Sequence, residues 1–347
     1  MSRRAASVTL VALAVACGAR TGLLADSGPS GSSGSSGSSS SSSSSGGVSF
    51  DAGNCPEPLW LLFNLRDDSG TSPMSGIYAM RADGTAGHMV SLPHSPAFNA
   101  SVSPDGSKLL YATYMDPTED GGVDSILYSF DLASQVATAV VTTTGLTYSA
   151  LSPDGKTVSY VSDFSLLAVD ADGTQNRSLL EGPNNGTGYG HPVFEPDSFT
   201  VVYATGGVIG SIGADGSNNQ TLLQAIPGSF QYPNPAFSPG YQQIVVGLFC
   251  DQTSPYALRI YDFASLASET CDSGTILTDV TEGSSPNGAN DPSWGVNGLI
   301  AYASGPDVFV IPPSGGTPTN MTTTLTGDAG LLTASDPVWA PGCAQIP

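Results

Sequence analysis

The chain has 347 residues, of which 11% are charged, and its formal net charge is −21 with nine lysines and arginines in total. A face that binds nucleic acid needs clustered basic residues, and direct attraction to anionic lipid needs them as well. The composition therefore excludes both classes of partner and favours polar, sugar-like or protein partners.

The first residues predict an export leader. Arg3 and Arg4 form a charged start, and the apolar run 8–16 that follows is too short to span a membrane as a mature helix. Residues 13–17, Leu-Ala-Val-Ala-Cys, resemble the lipobox of bacterial lipoproteins. The resemblance implies a signal peptide over residues 1–16, a lipid on Cys17 and, because Gly18 rather than Asp follows, the outer membrane. A plain secreted protein cleaved nearby is the alternative.

A tether is predicted after the leader. Residues 27–47 are almost entirely Ser and Gly, so this stretch buries no apolar surface and behaves as a flexible coil. Its typical end-to-end distance is about 25 Å. We assign residues 17–54 to a lipidated tether and residues 55–347 to a folded domain, so membrane contact is expected through the lipid alone.

A recurring unit organises the rest of the chain. Residues 100–106, Ala-Ser-Val-Ser-Pro-Asp-Gly, precede the apolar run 108–113, and the unit returns near residues 149, 192, 235, 292 and 337. In the turn, Pro presets φ, Asp bonds the local backbone and Gly accepts a positive φ. Two further strand-like runs follow in each complete unit. Four short strands per unit of about 45 residues are typical of a β-propeller blade.

The two ends of the repeat region complement each other. The last copy ends after its first strand, whereas the runs at 59–63, 77–80 and 88–92 read as the second, third and fourth strands of a blade. We therefore predict an all-β, six-bladed propeller in which the N- and C-terminal strands share one blade. Such sharing removes a free sheet edge.

The Ser-Pro-Asp-Gly turn followed by a strand resembles the TolB-like six-bladed β-propellers of bacterial envelope proteins. The resemblance covers about residues 56–342 and is strongest in the first two copies; the Gly-His…Trp-Asp pattern of WD repeats is absent. It implies a propeller fold and envelope partners in the outer membrane–peptidoglycan system. It says little about activity, since one fold hosts many functions.

The number of cysteines supports export of the protein. Apart from Cys17, four cysteines remain, an even number as expected in an oxidising compartment. Cys55 and Cys343 flank the ring, so their disulfide would lock its closure, and Cys250 with Cys271 would staple one blade. A metal site on these cysteines lacks any C-x-x-C pair or nearby His.

A ring of polar residues is the candidate site. These residues enter the first strand of each blade and are expected at the mouth of the central channel: Asn99, Tyr148, His191, Asn234, Asp291 and Asp336. A solvated channel rim, where polar residues are expected in any case, is the stronger explanation. If a cation binds, Asp291 and Asp336 are adjacent in the ring, and their oxygen atoms favour Ca²⁺. Otherwise no cofactor is expected.

No catalytic motif is present: the chain contains no G-x-S-x-G, H-E-x-x-H or phosphate-loop pattern. The sequence favours a monomeric, non-catalytic module of the cell envelope, on the periplasmic or surface side, that binds a protein or peptide. The alternative is an enzyme or binding protein for carbohydrates or other small molecules that uses the funnel formed by the central channel. Carboxyl groups of Asp291 and Asp336 close together and near His191 would favour that alternative or a metal.

Overall fold

Every strand of the computed structural model belongs to one of six four-stranded antiparallel sheets. The structure describes residues 59–67, 75–115, 124–182, 188–224, 234–248, 250, 257–279, 289–326 and 332–347. The six-bladed, all-β architecture predicted from the repeat is confirmed. The predicted leader, Cys17 and the tether lie outside the described residues and remain predictions.

Blades 1 to 3 have the following strands. Blade 1 contains β1 (Trp60–Asp67), β2 (Ser75–Arg81), β3 (His88–Met89) and β24 (Leu332–Ala340). Blade 2 contains β4 (Ala97–Val102), β5 (Lys108–Tyr114), β6 (Asp124–Asp131) and β7 (Val136–Thr144). Blade 3 contains β8 (Leu146–Leu151), β9 (Thr157–Ser162), β10 (Ser165–Asp170) and β11 (Arg177–Leu180).

Blades 4 to 6 repeat the same order. Blade 4 contains β12 (Val193–Phe194), β13 (Thr200–Thr205), β14 (Val208–Gly213) and β15 (Gln220–Gln224). Blade 5 contains β16 (Pro235–Phe237), β17 (Gln243–Leu248), β18 (Ala257–Asp262) and β19 (Thr275–Asp279). Blade 6 contains β20 (Ala289–Trp294), β21 (Ile300–Ser304), β22 (Asp307–Ile311) and β23 (Thr319–Asn320).

Helices contribute little to the described residues. Two 3₁₀ helices, Phe263–Ser268 and Cys271–Ser273, connect β18 to β19, and one α-helical turn, α1 (Thr323–Thr326), follows β23. None of the described helices has the length and apolar character needed to cross a membrane. The disulfide between Cys250 and Cys271 staples blade 5, with the two Cα atoms 5.3 Å apart.

The ring closes through blade 1. The C-terminal strand β24 pairs antiparallel with β1, from Trp60 opposite Ala340 to Asp67 opposite Leu332. Around the ring, the first strand of each blade contacts the first strand of the next, and β24 contacts β4. Cys343 is disulfide-bonded, but its predicted partner Cys55 lies outside the described residues, so that pairing remains a prediction.

The hydrophobic core lies between blades. Each of the six buried apolar clusters among the described residues combines two neighbouring blades. Tyr111 and Tyr160, for example, are 0% and 1% exposed in the strands of blades 2 and 3. Because the middle strands of a blade are covered on both faces, they read as continuous apolar runs instead of alternating ones. No blade could bury both faces alone.

The repeated turns explain why Gly recurs. Gly106 and Gly155 have φ values of 69° and 72°, and each donates its N–H to the carbonyl of the Ser three residues earlier. In the later copies Ser198 and Tyr241 occupy the same left-handed position, with φ values of 60° and 55°. An L side chain is unfavourable there by about 1–2 kcal/mol, so these two copies keep the turn at a local cost.

Gly155→Ala is expected to lower the free energy of unfolding by about 1 kcal/mol, because a Cβ meets no atom there but the backbone φ is 72°. Gly240→Ala is the matched control, since its Cβ also meets open space and its φ is not in the left-handed region. Urea unfolding of both variants measures the difference. Equal stability of the two variants would contradict the conformational explanation.

A serine stabilises most of these turns. The Oγ atoms of Ser103, Ser152 and Ser238 accept the N–H that begins the next strand, at 2.9, 2.9 and 3.0 Å. Glu195 occupies the serine position in blade 4. Burial, together with the neighbouring charge of Asp197, raises the pKa of the Glu195 carboxyl to about 7.

Because this pKa is raised in the folded state, the folded protein holds the proton more tightly than the unfolded chain. Stability should therefore fall as pH rises from about 5 to 8, and Glu195→Gln should remove this contribution. The measurement is the free energy of unfolding of variant and wild type at pH 5 and pH 8. A difference between the two proteins that does not change with pH would sink the prediction.

Candidate functional site

The first strands of the blades bring the predicted polar ring together at one end of the channel, the channel mouth. Asn99, Asp291 and Asp336 all have φ values of 50–54°. A register irregularity accompanies each of them, in the pairing of β4, β20 and β24 with the neighbouring strand. Asn and Asp tolerate the left-handed region better than other side chains, and a bulge redirects a side chain out of the regular alternation.

Proline makes these irregularities less costly. Pro292 and Pro337 follow Asp291 and Asp336 directly, and a proline has no N–H to leave unpaired where the ladder is interrupted. The sequence pattern Asp-Pro thus specifies both the break in the ladder and the residue that is turned into the channel.

Three side chains converge at the centre of the channel mouth. The Nε2 atom of His191 lies 3.4 Å from Oδ1 of Asp336 and 3.9 Å from Oδ1 of Asp291. One nitrogen or oxygen of each residue lies within 4.8 Å of the others. The two carboxylate side chains are each 15% exposed and the imidazole is 23% exposed. We call this group the His–Asp–Asp cluster.

Amide side chains hold the cluster in place. Asn234 accepts the backbone N–H of His191 at 2.9 Å and donates its Nδ2 to Asp291. On the other side, Asn64 donates to Oδ2 of Asp336 at 2.7 Å, and the hydroxyl of Ser335 donates to the same oxygen at 2.8 Å. Each carboxylate is therefore oriented by at least one donor. Asp336 turns its other oxygen, Oδ1, towards His191, whereas in Asp291 the same oxygen, Oδ1, accepts from Asn234 and faces His191.

Asn99 and Tyr148 belong to the outer part of the mouth. Asn99 donates its backbone N–H to Asn64 at 2.9 Å and its side chain to the carbonyl of Thr147. The ring of Tyr148 lies against His191, with centroids 3.9 Å apart. All six predicted positions thus take part in one contiguous network across the channel.

Two cavities meet at this network. The outer cavity has a volume of about 570 Å³ and is lined in part by Arg66, Phe98, Tyr114, Tyr148 and Asp336. The inner cavity, about 120 Å³, is lined by all three members of the His–Asp–Asp cluster and by Ser149. Asp336 lines both cavities. Of the cluster, Asp336 reaches the outer cavity, whereas all three members line the inner one.

The electrostatics of the pair are asymmetric. Burial and the neighbouring charge of Asp336 raise the pKa of Asp291 to about 7. Burial alone would also raise the pKa of Asp336, but the hydrogen bond and charge of His191, with hydrogen bonds from Ser335 and Asn64, hold it below its usual value. Two carboxylates this close share a proton unless a cation lies between them.

Sequence reasoning missed Asn64 and Ser335. Asn64 lies on β1, the second strand of its blade, and a ring built from first strands does not include it. A signal was available, because Asn64 is the one polar residue in the apolar run 59–65. Ser335 pairs with Asn64 across the β1–β24 ladder, so ring closure itself brings the two together.

The other two histidines lie away from the site. The ring of His88 meets the edge of Trp60, and the exposed His94 stacks on Tyr128. At the opposite end of the channel, which we call the turn end, a cavity of about 280 Å³ is lined by the Pro-containing turns together with Trp294 and Trp339. Trp339 is 8% exposed and belongs to the core between blades 6 and 1.

Comparison with known proteins shows the fold. No family model and no curated protein matches the sequence. Among solved structures, TolB from Acinetobacter baumannii is similar, with 18% identity, a TM-score of 0.61 and coverage of 83% of this chain and 68% of that one. A structure of a nidogen/laminin complex has 12% identity, a TM-score of 0.58 and coverage of 82% and 99%. An oligogalacturonate lyase from Vibrio parahaemolyticus has 14% identity, a TM-score of 0.48 and coverage of 69% and 73%.

The protein is thus a six-bladed β-propeller whose architecture is similar to that of TolB, with a cluster of polar side chains at one mouth of its channel. At these levels of identity the likeness concerns the architecture. What the site does has to be argued from its own residues.

Proposed function

We propose that this protein is a non-catalytic binding module of the bacterial cell envelope, anchored through a lipid on Cys17, which takes up a basic segment of a partner protein at the channel mouth. The observation that carries the proposal is the outer cavity, because its volume of about 570 Å³ falls within the range of ligand-binding clefts. A protein-binding propeller is also consistent with the TolB and nidogen neighbours.

Aromatic side chains support a peptide ligand. Tyr114 is 56% exposed beside the outer cavity and stacks on Phe98, with ring centroids 4.2 Å apart. Phe164, in the turn between β9 and β10, is 58% exposed at the same end of blade 3. Exposed rings offer a large contact area at a small entropic cost, and their faces attract ammonium and guanidinium groups.

Charge supports a basic partner. Arg66 is the one base and Asp336 the one acid among the residues lining the outer cavity, and Asp291 lies beside Asp336 in the lining of the inner cavity. Both lysines of the chain, Lys108 and Lys156, lie next to turns at the turn end instead. With a formal charge of −21, the whole chain attracts basic partners, and the channel mouth is the concave surface where such attraction can be focused.

The test uses fluorescent peptides of about ten residues that alternate Lys or Arg with apolar side chains, and versions in which Glu replaces each base. The basic peptide should bind the full-length protein, more weakly as salt is raised, because exposed charges are screened. Tyr114→Ala should weaken binding at least fivefold, the size of an ordinary interface contact of about 1 kcal/mol. Fluorescence anisotropy measures both effects.

Phe199→Ala is the matched control, because Phe199 is also an exposed aromatic residue (41%) but lies in the turn between β12 and β13, at the turn end. It should leave the affinity unchanged. The proposal fails if the acidic peptide binds equally well, or if the two alanine variants weaken binding to the same extent.

A second candidate is binding of a carbohydrate or other polar small molecule in the funnel, with or without catalysis. The convergence of His191 with two carboxylates favours it, since such groups supply acid–base chemistry in many sites. In this case neutral or acidic oligosaccharides should raise the thermal midpoint of the full-length protein, because a ligand that binds the folded state stabilises it.

Asp336→Asn should abolish this oligosaccharide-induced rise in midpoint, whereas Phe199→Ala should retain it. An unchanged midpoint with every oligosaccharide, or a rise that Asp336→Asn leaves intact, would remove the second candidate.

A further inference from the structure

We infer that the His–Asp–Asp cluster is a binding site for one divalent metal ion, held by Nε2 of His191 and one carboxylate oxygen each from Asp291 and Asp336. The inference goes beyond the proposed function, because ion binding requires no partner. It also changes the ion expected from the sequence, in which the two aspartates alone favour Ca²⁺.

The first argument is geometric. Ligand atoms in protein metal sites lie about 2.0–2.6 Å from the ion, so any two of them are at most about 4–5 Å apart. The Nε2 atom of His191 is 3.4 and 3.9 Å from the two carboxylate oxygens, and all three ligand atoms fall within 4.8 Å of one another. A single ion fits between them with small side-chain movements.

The second argument is the support around the ligands. Metal-binding carboxylates in proteins are generally held by further hydrogen bonds that fix their orientation. Here Asn234 donates to Asp291, and Asn64 and Ser335 donate to Asp336. Asn234 also fixes the backbone of His191, and Tyr148 packs against the imidazole ring. The ligands are thus oriented by groups that would not themselves bind the ion.

The third argument is charge. Within the described residues, His191 is the one ion-pair partner of either carboxylate, at side-chain exposures of 15% for both acids. Ionising both carboxyl groups beside a single imidazole would leave excess negative charge in a poorly solvated place. A divalent cation would balance it.

The fourth observation is independent of the cluster. Ser149 is 6% exposed, lines the same inner cavity, and its hydroxyl has no hydrogen-bond partner among the described residues. Buried hydroxyl groups are ordinarily paired, so the unpaired one in the lining of this cavity leaves a hydrogen-bonding position for a water or another ligand. A water bound to the ion would provide such a partner.

The donor set selects the kind of ion. Ca²⁺ and Mg²⁺ take oxygen ligands, whereas an imidazole nitrogen suits a transition metal. One nitrogen with two carboxylate oxygens is appropriate for Mn²⁺ or Zn²⁺. We therefore expect Mn²⁺ to bind more tightly than Ca²⁺ or Mg²⁺.

The test is titration of the metal-stripped, full-length protein with Mn²⁺ alone, followed by loss of the free-ion electron paramagnetic resonance signal, with native mass spectrometry to count bound ions. One Mn²⁺ per chain is expected, and Ca²⁺ in tenfold excess should displace little of it. Asp336→Asn, which is nearly isosteric, and His191→Gln should each weaken Mn²⁺ binding at least tenfold.

His94→Gln and Asp83→Asn are the matched controls, because they make the same chemical changes at exposed positions. They should leave Mn²⁺ affinity unaltered. Thermal midpoints of the metal-free variants, compared with metal-free wild type, show whether each still folds. No bound Mn²⁺ on wild type, or equal loss in folded site and control variants, would overturn the inference. Peptide binding is measured separately, so it can fail while this site stands.

Discussion

The pairing of β24 with β1 is the contact on which the rest of the structure depends. It joins the two ends of the repeat region in one blade. Blades 6 and 1 can therefore bury an apolar cluster between them, as the other five pairs of neighbouring blades do. Since the core lies between blades, an open ring would expose apolar faces and two sheet edges at once. The same pairing sets Ser335 opposite Asn64 and delivers Asp336 to the channel.

Much of this arrangement follows from the sequence because it is local and repeated. The recurring turn residues and the apolar runs after them predicted the number of blades, and counting strands at the two ends predicted the shared blade. The order of blades then made Asp291 and Asp336 neighbours. What the sequence could not supply was the width of the channel. His191 is on blade 4, yet the channel is narrow enough for its ring to reach both acids.

That distance changes the expected chemistry. Two neighbouring aspartates offer only oxygen donors, whereas the imidazole from across the channel adds a nitrogen donor to the same cluster. Asn64 escaped prediction for a related reason: it reaches the channel from a second strand, at a break in register that no single-strand pattern reveals. When a residue reaches the channel only through a bulge, or meets its neighbours only across the ring, the spacing of apolar residues along the chain does not predict its position.

The order in which the cluster residues occur along the chain has a consequence for biogenesis. His191, Asp291 and Asp336 come from blades 4, 6 and 1, and Asp336 is carried by the last strand of the ring. A nascent chain that has not yet produced β24 has neither the closed ring nor the third residue of the cluster. The cluster can therefore be complete only after the last strand of the ring has been made, so its assembly is a late event.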